Sequence, residues 1–362
     1  MNEPNQAQLF ADVAASTPAA AAARLPVQPE PESSELQSGN DMQAPVPSYT
    51  PRQQQHLGVV LGAAIGDAMG HPTEFMSMAG IHARFGAKGV QGFELHWADA
   101  HGKKFAPYTD DTQMAEVVLR SLLQSRERNE SLDGAMRRMA KGFIEWAAQP
   151  QGGHRAPGNA CLSGCRALAS GVPWHQAGGA TAGGCGSVMR AYPFGLVFAH
   201  DLARAEDWAV AHSKLTHRDP IALAASAAMA VGVALAMRHA TPIVIASEMI
   251  AAAARYSART ALMMTQALDD AQMGIGPEIT LDRLRAWAAH EAIAACLYIF
   301  MRHPDDAQAA ILEGANTPGD SDSIATLAGA LIGARVGVSG LPPIWRQDVE
   351  RAVELSELAL QI

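Results

Sequence analysis

Apolar residues recur at three- and four-residue spacing along most of this chain, the period of a helix with one buried face. The pattern predicts helices over 55–70, 112–125, 133–148, 161–170, 202–214, 219–238, 242–254, 259–271, 281–300, 304–313, 322–337 and 346–360. Gly and Pro clusters at 150–158, 171–173, 178–186, 274–277 and 340–343 punctuate them. No segment alternates convincingly as a strand, and no repeat of fixed period emerges. The expectation is all-α: a single compact multi-helix domain over residues 53–362. The most apolar segment, Ile221 to Met237, is Ala-rich and holds Ser226 and Gly232. It is short for a membrane span and is predicted to be a buried core helix.

Residues 1–52 break this pattern. Seven prolines, from Pro4 to Pro47, fall there with an Ala run at 19–23, and Arg24 is the only base against six acids in residues 1–50. Such a segment cannot bury enough apolar surface to offset its chain entropy, so it is predicted to be a disordered extension. Its one apolar patch, Leu9 to Val13, is a candidate for folding on a partner.

Composition narrows the partners. A net charge of −9 and the lack of a basic run argue against nucleic acid and anionic membranes. The N-terminus lacks the basic start and apolar run of a signal peptide. Cys161, Cys165, Cys185 and Cys296 lack zinc-ribbon spacing and read as reduced thiols of a cytoplasmic protein.

Two acidic clusters begin predicted helices: Tyr108-Thr109-Asp110-Asp111-Thr112 and Gly319-Asp320-Ser321-Asp322-Ser323. Asp, Ser and Thr commonly cap helices, and either cluster alone is explained that way. Each, however, offers two carboxylates and a hydroxyl where a cap needs one side chain. Hard oxygens of this kind suit Mg²⁺, Mn²⁺ or Ca²⁺. Four carboxylates can neutralise two divalent ions, and such a pair can activate water. Upstream, Gly62, Gly66 and Gly70 fall every fourth residue, leaving a helix face without side chains for close backbone approach, and Glu74 follows just past the helix end. The loop from Gly178 to Arg190 is rich in backbone donors, although it fits no phosphate-loop signature. A second loop, Gln151 to Asn159, offers Arg155 and Asn159. His217 precedes a helix, where it either caps or meets a phosphate or ribose.

These pieces together resemble the ADP-ribosylglycohydrolase family, over roughly residues 55–340. The motifs follow the family's order: Gly66-Asp67-Ala68-Met69-Gly70 with Glu74, then Thr109-Asp110-Asp111-Thr112, Gly186-Ser187-Val188-Met189-Arg190 with Pro193, Thr216-His217, and Gly319 to Ser323. The resemblance implies an all-α fold holding two Mg²⁺ or Mn²⁺ ions on Thr109, Asp110, Asp111, Asp320, Asp322 and Ser323. Ser323 stands where many relatives have Thr, and either supplies a hydroxyl. Glu74, Asp111 and Asp322 would be the catalytic carboxylates. Arg155, Asn159, Gly184, Gly186, Ser187, Met189 and His217 would meet the substrate. A further family acid near 150–160 has no counterpart, since Asn159 is not a base. The implied reaction splits the N-glycosidic bond between ADP-ribose and an arginine of a modified protein, with the ions gripping ribose hydroxyls and activating water. Serine-linked and O-acyl ADP-ribose are alternative substrates. Some relatives resemble immunity proteins against ADP-ribosyltransferase toxins, which suggests that residues 1–50 plug a toxin's active site, with or without catalysis.

Two rival readings fit less well. Helical Mg²⁺ enzymes of isoprenoid synthesis need a further Asp after the first pair, where Thr112-Gln113-Met114-Ala115 stands here. A phosphohydrolase built on His200-Asp201 would need further His partners, and none is obvious.

Overall fold

The computed structural model describes residues 49–362. Residues 1–48 of the disordered extension expected over 1–52, and with them nearly all of the toxin-plugging segment expected over 1–50, lie outside the described residues, whereas Pro51 and Arg52 belong to the first helix. In chain order the helices are α1 (Pro51–Gly70), α2 (Met78–Phe85), α3 (Asp110–Glu127), α4 (Leu132–Ala148), α5 (Asn159–Ala169), α6 (Trp174–Ala177), α7 (Tyr192–Val197), α8 (Leu202–Ser213) and α9 (Pro220–Met237). They continue as α10 (Pro242–Ala254), α11 (Ala258–Met273), α12 (Pro277–Arg283), α13 (Ala289–Arg302), α14 (Ala307–Ala315), α15 (Ser321–Val336), α16 (Pro343–Asp348) and α17 (Ala352–Ala359). The all-α expectation holds, with one correction: a two-residue hairpin, β1 (Trp97–Ala98) against β2 (Lys104–Phe105), pairs Trp97 with Phe105.

Local chemistry explains many helix starts. Thr50 and Gln53 close a reciprocal capping box on α1. Ser77, Ser131, Ser257 and Asp306 accept from the first turns of α2, α4, α11 and α14. Asp201 does the same for α8 while His200 is exposed, which accounts for that dipeptide without any phosphohydrolase chemistry. Helix α9 is long and apolar enough to cross a membrane, with mean hydropathy 2.0, but 83% of it is buried within the fold. It packs against α7, α8, α10, α13 and α15. Its small side chains allow that crowding on every face.

Helices α1 and α15 form the antiparallel spine. A Cβ on Gly58, Gly62 or Gly66 would lie 2.3, 2.2 and 2.0 Å from the carbonyl oxygens of Gly333, Gly329 and Ala325. From the other side, a Cβ on Gly329 or Gly333 would strike the oxygens of Gly62 and Gly58 at 2.0 Å. The bare face expected at Gly62, Gly66 and Gly70 thus continues to Gly58 and meets a matching face on α15. The same contact sets the end of α1 beside the start of α15, where Ser321 Oγ donates to Gly70 O at 2.9 Å.

Two predicted helices are broken. The one expected over 281–300 divides into α12 and α13, with Ala286 at φ +58°. This frees Arg285 O to accept from Asp320 N at 3.0 Å. The one expected over 346–360 divides at Arg351, φ +50°, whose guanidinium reaches Glu116 at 2.7 Å. In both, tertiary partners for the chain at the break outweigh helix propensity.

Candidate active site

The amino ends of α3 and α15 meet beside the carboxyl end of α1. Asp67, fully buried on α1, accepts from Thr109 N (2.9 Å), Thr112 N (3.0 Å) and Thr112 Oγ1 (2.6 Å). It therefore clamps the turn that carries Asp110 and Asp111. Thr109 caps α3 by accepting from Asp111 N at 3.3 Å. Ser323 Oγ, on α15, donates to Asp111 Oδ2 at 3.0 Å and joins the two clusters directly. Asp320 donates its N–H to Arg285 O, and its carboxylate caps nothing. The acids expected to act together thus line one cleft, although among the described residues the ligand atoms that converge within 4.8 Å of one another are those of His71, Glu74 and Asp322.

The cleft measures about 270 Å³, with Glu74, Asp110, Asp111, Asp320, Asp322 and Ser323 on one side. Asn159, Gly184, Gly186, Met189 and His217 complete the lining, with Cys185 in contact with Asp320. The lining has five carboxylates and no Lys or Arg. Burial, reinforced by neighbouring carboxylates, pushes Asp110, Asp111 and Asp322 well above the ordinary carboxylate range. Burial also raises Glu74, against the pull of His71, whose Nδ1 stands 3.7 Å from Glu74 Oε2. Ligand atoms of His71, Glu74 and Asp322 lie within 4.8 Å of one another. Such a set calls for positive charge, and hard oxygen donors suit a divalent cation.

Opposite the acids, Arg190 is fully buried and donates to Thr216 Oγ1 (2.6 Å) and His212 Nε2 (3.1 Å). Its guanidinium also lies 4.5 Å from the Phe143 ring centroid. Thr216 Oγ1, accepting from Arg190, is 2.7 Å from His217 Nδ1. The Thr216 hydroxyl has a second lone pair, so either tautomer of His217 satisfies this contact, and in both Nε2 lies on the Gly184–Gly186 side. Burial and Arg190 push the His217 pKa down to about 3. His217 is therefore neutral, and catalysis should show no inflection from this residue between about pH 5 and about pH 8. A pH profile of kcat/KM compared with that of His217→Gln checks this; an inflection near about pH 6.5 that vanishes in the variant would contradict it. Gly186 is obligatory, since a Cβ there would lie 2.6 Å from Cys161 Sγ and 3.0 Å from His217 Cε1.

Three residues read as site members are placed differently. Ser187 is fully buried, with its hydroxyl between those of Ser213 and Ser226. Arg155 donates to Tyr108 O and pairs with Glu350, away from the cleft lining. Thr109 lies at the cap behind the two aspartates. Arg155 borders instead a larger cavity of about 1010 Å³, where Arg351 also lies, paired with Glu116.

Other residues went unread in the sequence. Asp67 lay inside a recognised motif but without a role. Cys185 places Sγ 2.6 Å from Asp320 Oδ2. Phe75 and Trp287, both exposed, stack at 5.0 Å with rings 9° apart at the cleft mouth. Phe75 sits at φ +62° and Ala156, also in the lining, at φ +60°, a costly conformation for residues with a Cβ. Trp287 had no sequence signal because it lies in the break between α12 and α13.

The family model for ADP-ribosylglycohydrolase matches residues 48–362. The chain is 27% identical to ADP-ribosylarginine hydrolase Tri1 of Pseudomonas putida (strain GB-1), over 87% of this chain and 80% of that one. It is 26% identical to ADP-ribosyl-[dinitrogen reductase] glycohydrolase of Rhodospirillum rubrum, covering 82% and 91%. ADP-ribosylhydrolase ARH3 of Gallus gallus is also 26% identical, over 87% and 94%. A solved structure titled ADP-ribosylglycohydrolase-related protein complex superposes with a TM-score of 0.64 at 25% identity, covering 86% of this chain and 97% of that one. The chain belongs to the ADP-ribosylglycohydrolase family, hydrolases that act on the glycosyl linkages of ADP-ribose.

Proposed function

We propose that this protein removes ADP-ribose from arginine side chains of modified proteins, in a reaction dependent on two divalent ions, Mg²⁺ or Mn²⁺. The observation that carries the reading is the charge of the cleft: five carboxylates, no Lys or Arg. Asp110, Asp111, Asp320 and Asp322, with the hydroxyl of Ser323, would hold the ions, and Thr109, whose hydroxyl accepts from Asp111 N, would position the aspartates. Bound there, they would neutralise the carboxylates and supply Lewis acidity toward the ribose oxygens.

The chain's own groups supply the rest. Asp111 and Asp322 stabilise positive charge developing on the sugar. Glu74, with a raised pKa, is suited to pass a proton between water and the leaving nitrogen. In its Nε2–H tautomer, His217 donates to a substrate oxygen. The Phe75–Trp287 pair offers a flat apolar rim for stacking. The acidic cleft also attracts a cationic guanidinium, which serine and acyl esters lack. Incubating the full chain with Mg²⁺ and arginine- or serine-modified protein tests the substrate: free ADP-ribose should come mainly from the arginine adduct. Release from the serine adduct alone would overturn the arginine assignment.

The same charges make metal binding a stability term. Saturating Mn²⁺ at about 100 times Kd should stabilise the fold by about 2.7 kcal/mol for each ion bound. Asp110, Asp111 and Asp322 have raised pKa values in the metal-free fold, so their contribution favours folding at low pH and is lost as pH rises through those values. Protons therefore compete with the ion, and the Mn²⁺-induced rise in Tm should shrink as pH falls. A rise that grows on acidification would contradict this.

A further inference from the structure

Cys185 is built into the acidic side of the cleft. Its Sγ is 2.6 Å from Asp320 Oδ2 and 3.4 Å from Ser323 Oγ, and Ser323 Oγ in turn donates to Asp111 at 3.0 Å. The thiol thus touches two of the side chains read as ion ligands and is one bond removed from a third. A separate observation points to a cation at this spot. Asp110, only 6% exposed, lines the same cleft, and its carboxylate accepts no hydrogen bond from any other described residue, only from its own backbone N–H. The main-chain frame is firm: Cys185 begins a short 3₁₀ turn, and the preceding Gly183 O accepts from Ala289 N at 2.9 Å.

We propose that Cys185 is a sulfur ligand of the metal centre and biases it toward thiophilic divalent ions such as Zn²⁺ or Cd²⁺, at the expense of Mg²⁺. This rests on the metal-dependent reading above. Thiolate is the soft donor in a set otherwise made of hard oxygens, and ligand softness selects among divalent ions. When the ion binds, a sulfur–metal bond forms, the S–H bond breaks and the proton leaves to solvent; no electron is transferred. Zn²⁺ then becomes a tight competitor of the hard ion, so that the two ions compete for the centre.

The test uses the purified full chain, stripped of metal, and its Cys185→Ser and Cys185→Ala variants, with thermal melting as the check on folding. Titration with Co²⁺ should give a sulfur-to-cobalt charge-transfer band in the near ultraviolet, absent from both variants. By calorimetry, Cd²⁺ affinity should fall about tenfold or more in the variants, while Mn²⁺ affinity changes by less than about threefold. If the wild-type chain binds Mn²⁺ but Co²⁺ gives no such band, or if the band persists in the variants, Cys185 is not a ligand. If the wild-type chain binds no Mn²⁺, Mg²⁺ or Co²⁺, the metal-dependent reading fails as well. Should both variants fail to fold, the wild-type cobalt spectrum decides alone.

Discussion

Replacing Asp111 or Asp322 by alanine should reduce kcat/KM for release of ADP-ribose from an arginine-modified protein by about 10³-fold or more, about 4 kcal/mol of transition-state stabilisation. Both carboxylates are buried in the cleft, 3% exposed, and surrounded by like charge. Neither supports the backbone much. Asp322 accepts from the adjacent Ser323 N, and Asp111 from the Ser323 hydroxyl. Removing one buried acid from a repelling set should therefore leave the metal-free protein as stable as before, or more so. The signature is divergence: activity lost, melting temperature without metal held or raised, and the Mn²⁺-induced gain in Tm reduced. Full activity in either variant would place the chemistry elsewhere.

The second large effect concerns the spine. Gly66→Ala should lower Tm, although alanine is the better helix former by about 0.5–1 kcal/mol. The new Cβ would lie 2.0 Å from Ala325 O and 2.8 Å from Thr326 N, and these are backbone atoms that cannot turn aside. Separation of α1 from α15 is the only relief, at a cost of about 3 kcal/mol, or several degrees of Tm. Gly80→Ala is the control, since its nearest contacts are the Met76 and Ser77 side chains at 3.4 Å. It should be neutral or slightly stabilising. Gly66→Ala should also weaken Mn²⁺ binding, because Asp67 and Gly70 on α1 fix the turns that carry Asp110 and Asp322. A Gly66→Ala protein that melts at or above the wild-type temperature would refute the close-packed spine.

These two cases show what could be read from the residues. The glycines at four-residue spacing announced a bare helix face, and the paired acids announced a shared charge problem, because both signals are local. Which face the glycines met was not local: the partners Gly329 and Gly333 lie more than 260 residues downstream. The breaks at Ala286 and Arg351 were hidden because Ala and Arg are good helix formers, and tertiary contacts set the positive φ there. Trp287 was lost with the first break. Ser187 was assigned by its motif position and Arg155 by its place in a donor-rich loop, whereas the fold gives Ser187 to a hydroxyl network and Arg155 to Glu350. Cys185 carries no local signal beyond that of a reduced thiol, because its partner Asp320 lies 135 residues downstream.

The most direct measurement is release of ADP-ribose from an arginine-modified protein by the full chain, first with Mg²⁺, then with EDTA, then with Mn²⁺ restored. The expected result is release that stops with the chelator and returns with the ion, and that Asp111→Ala never shows. Release that continues unchanged in EDTA, or a chain inactive under all three conditions, would contradict a metal-dependent hydrolase built on Asp110, Asp111, Asp320 and Asp322.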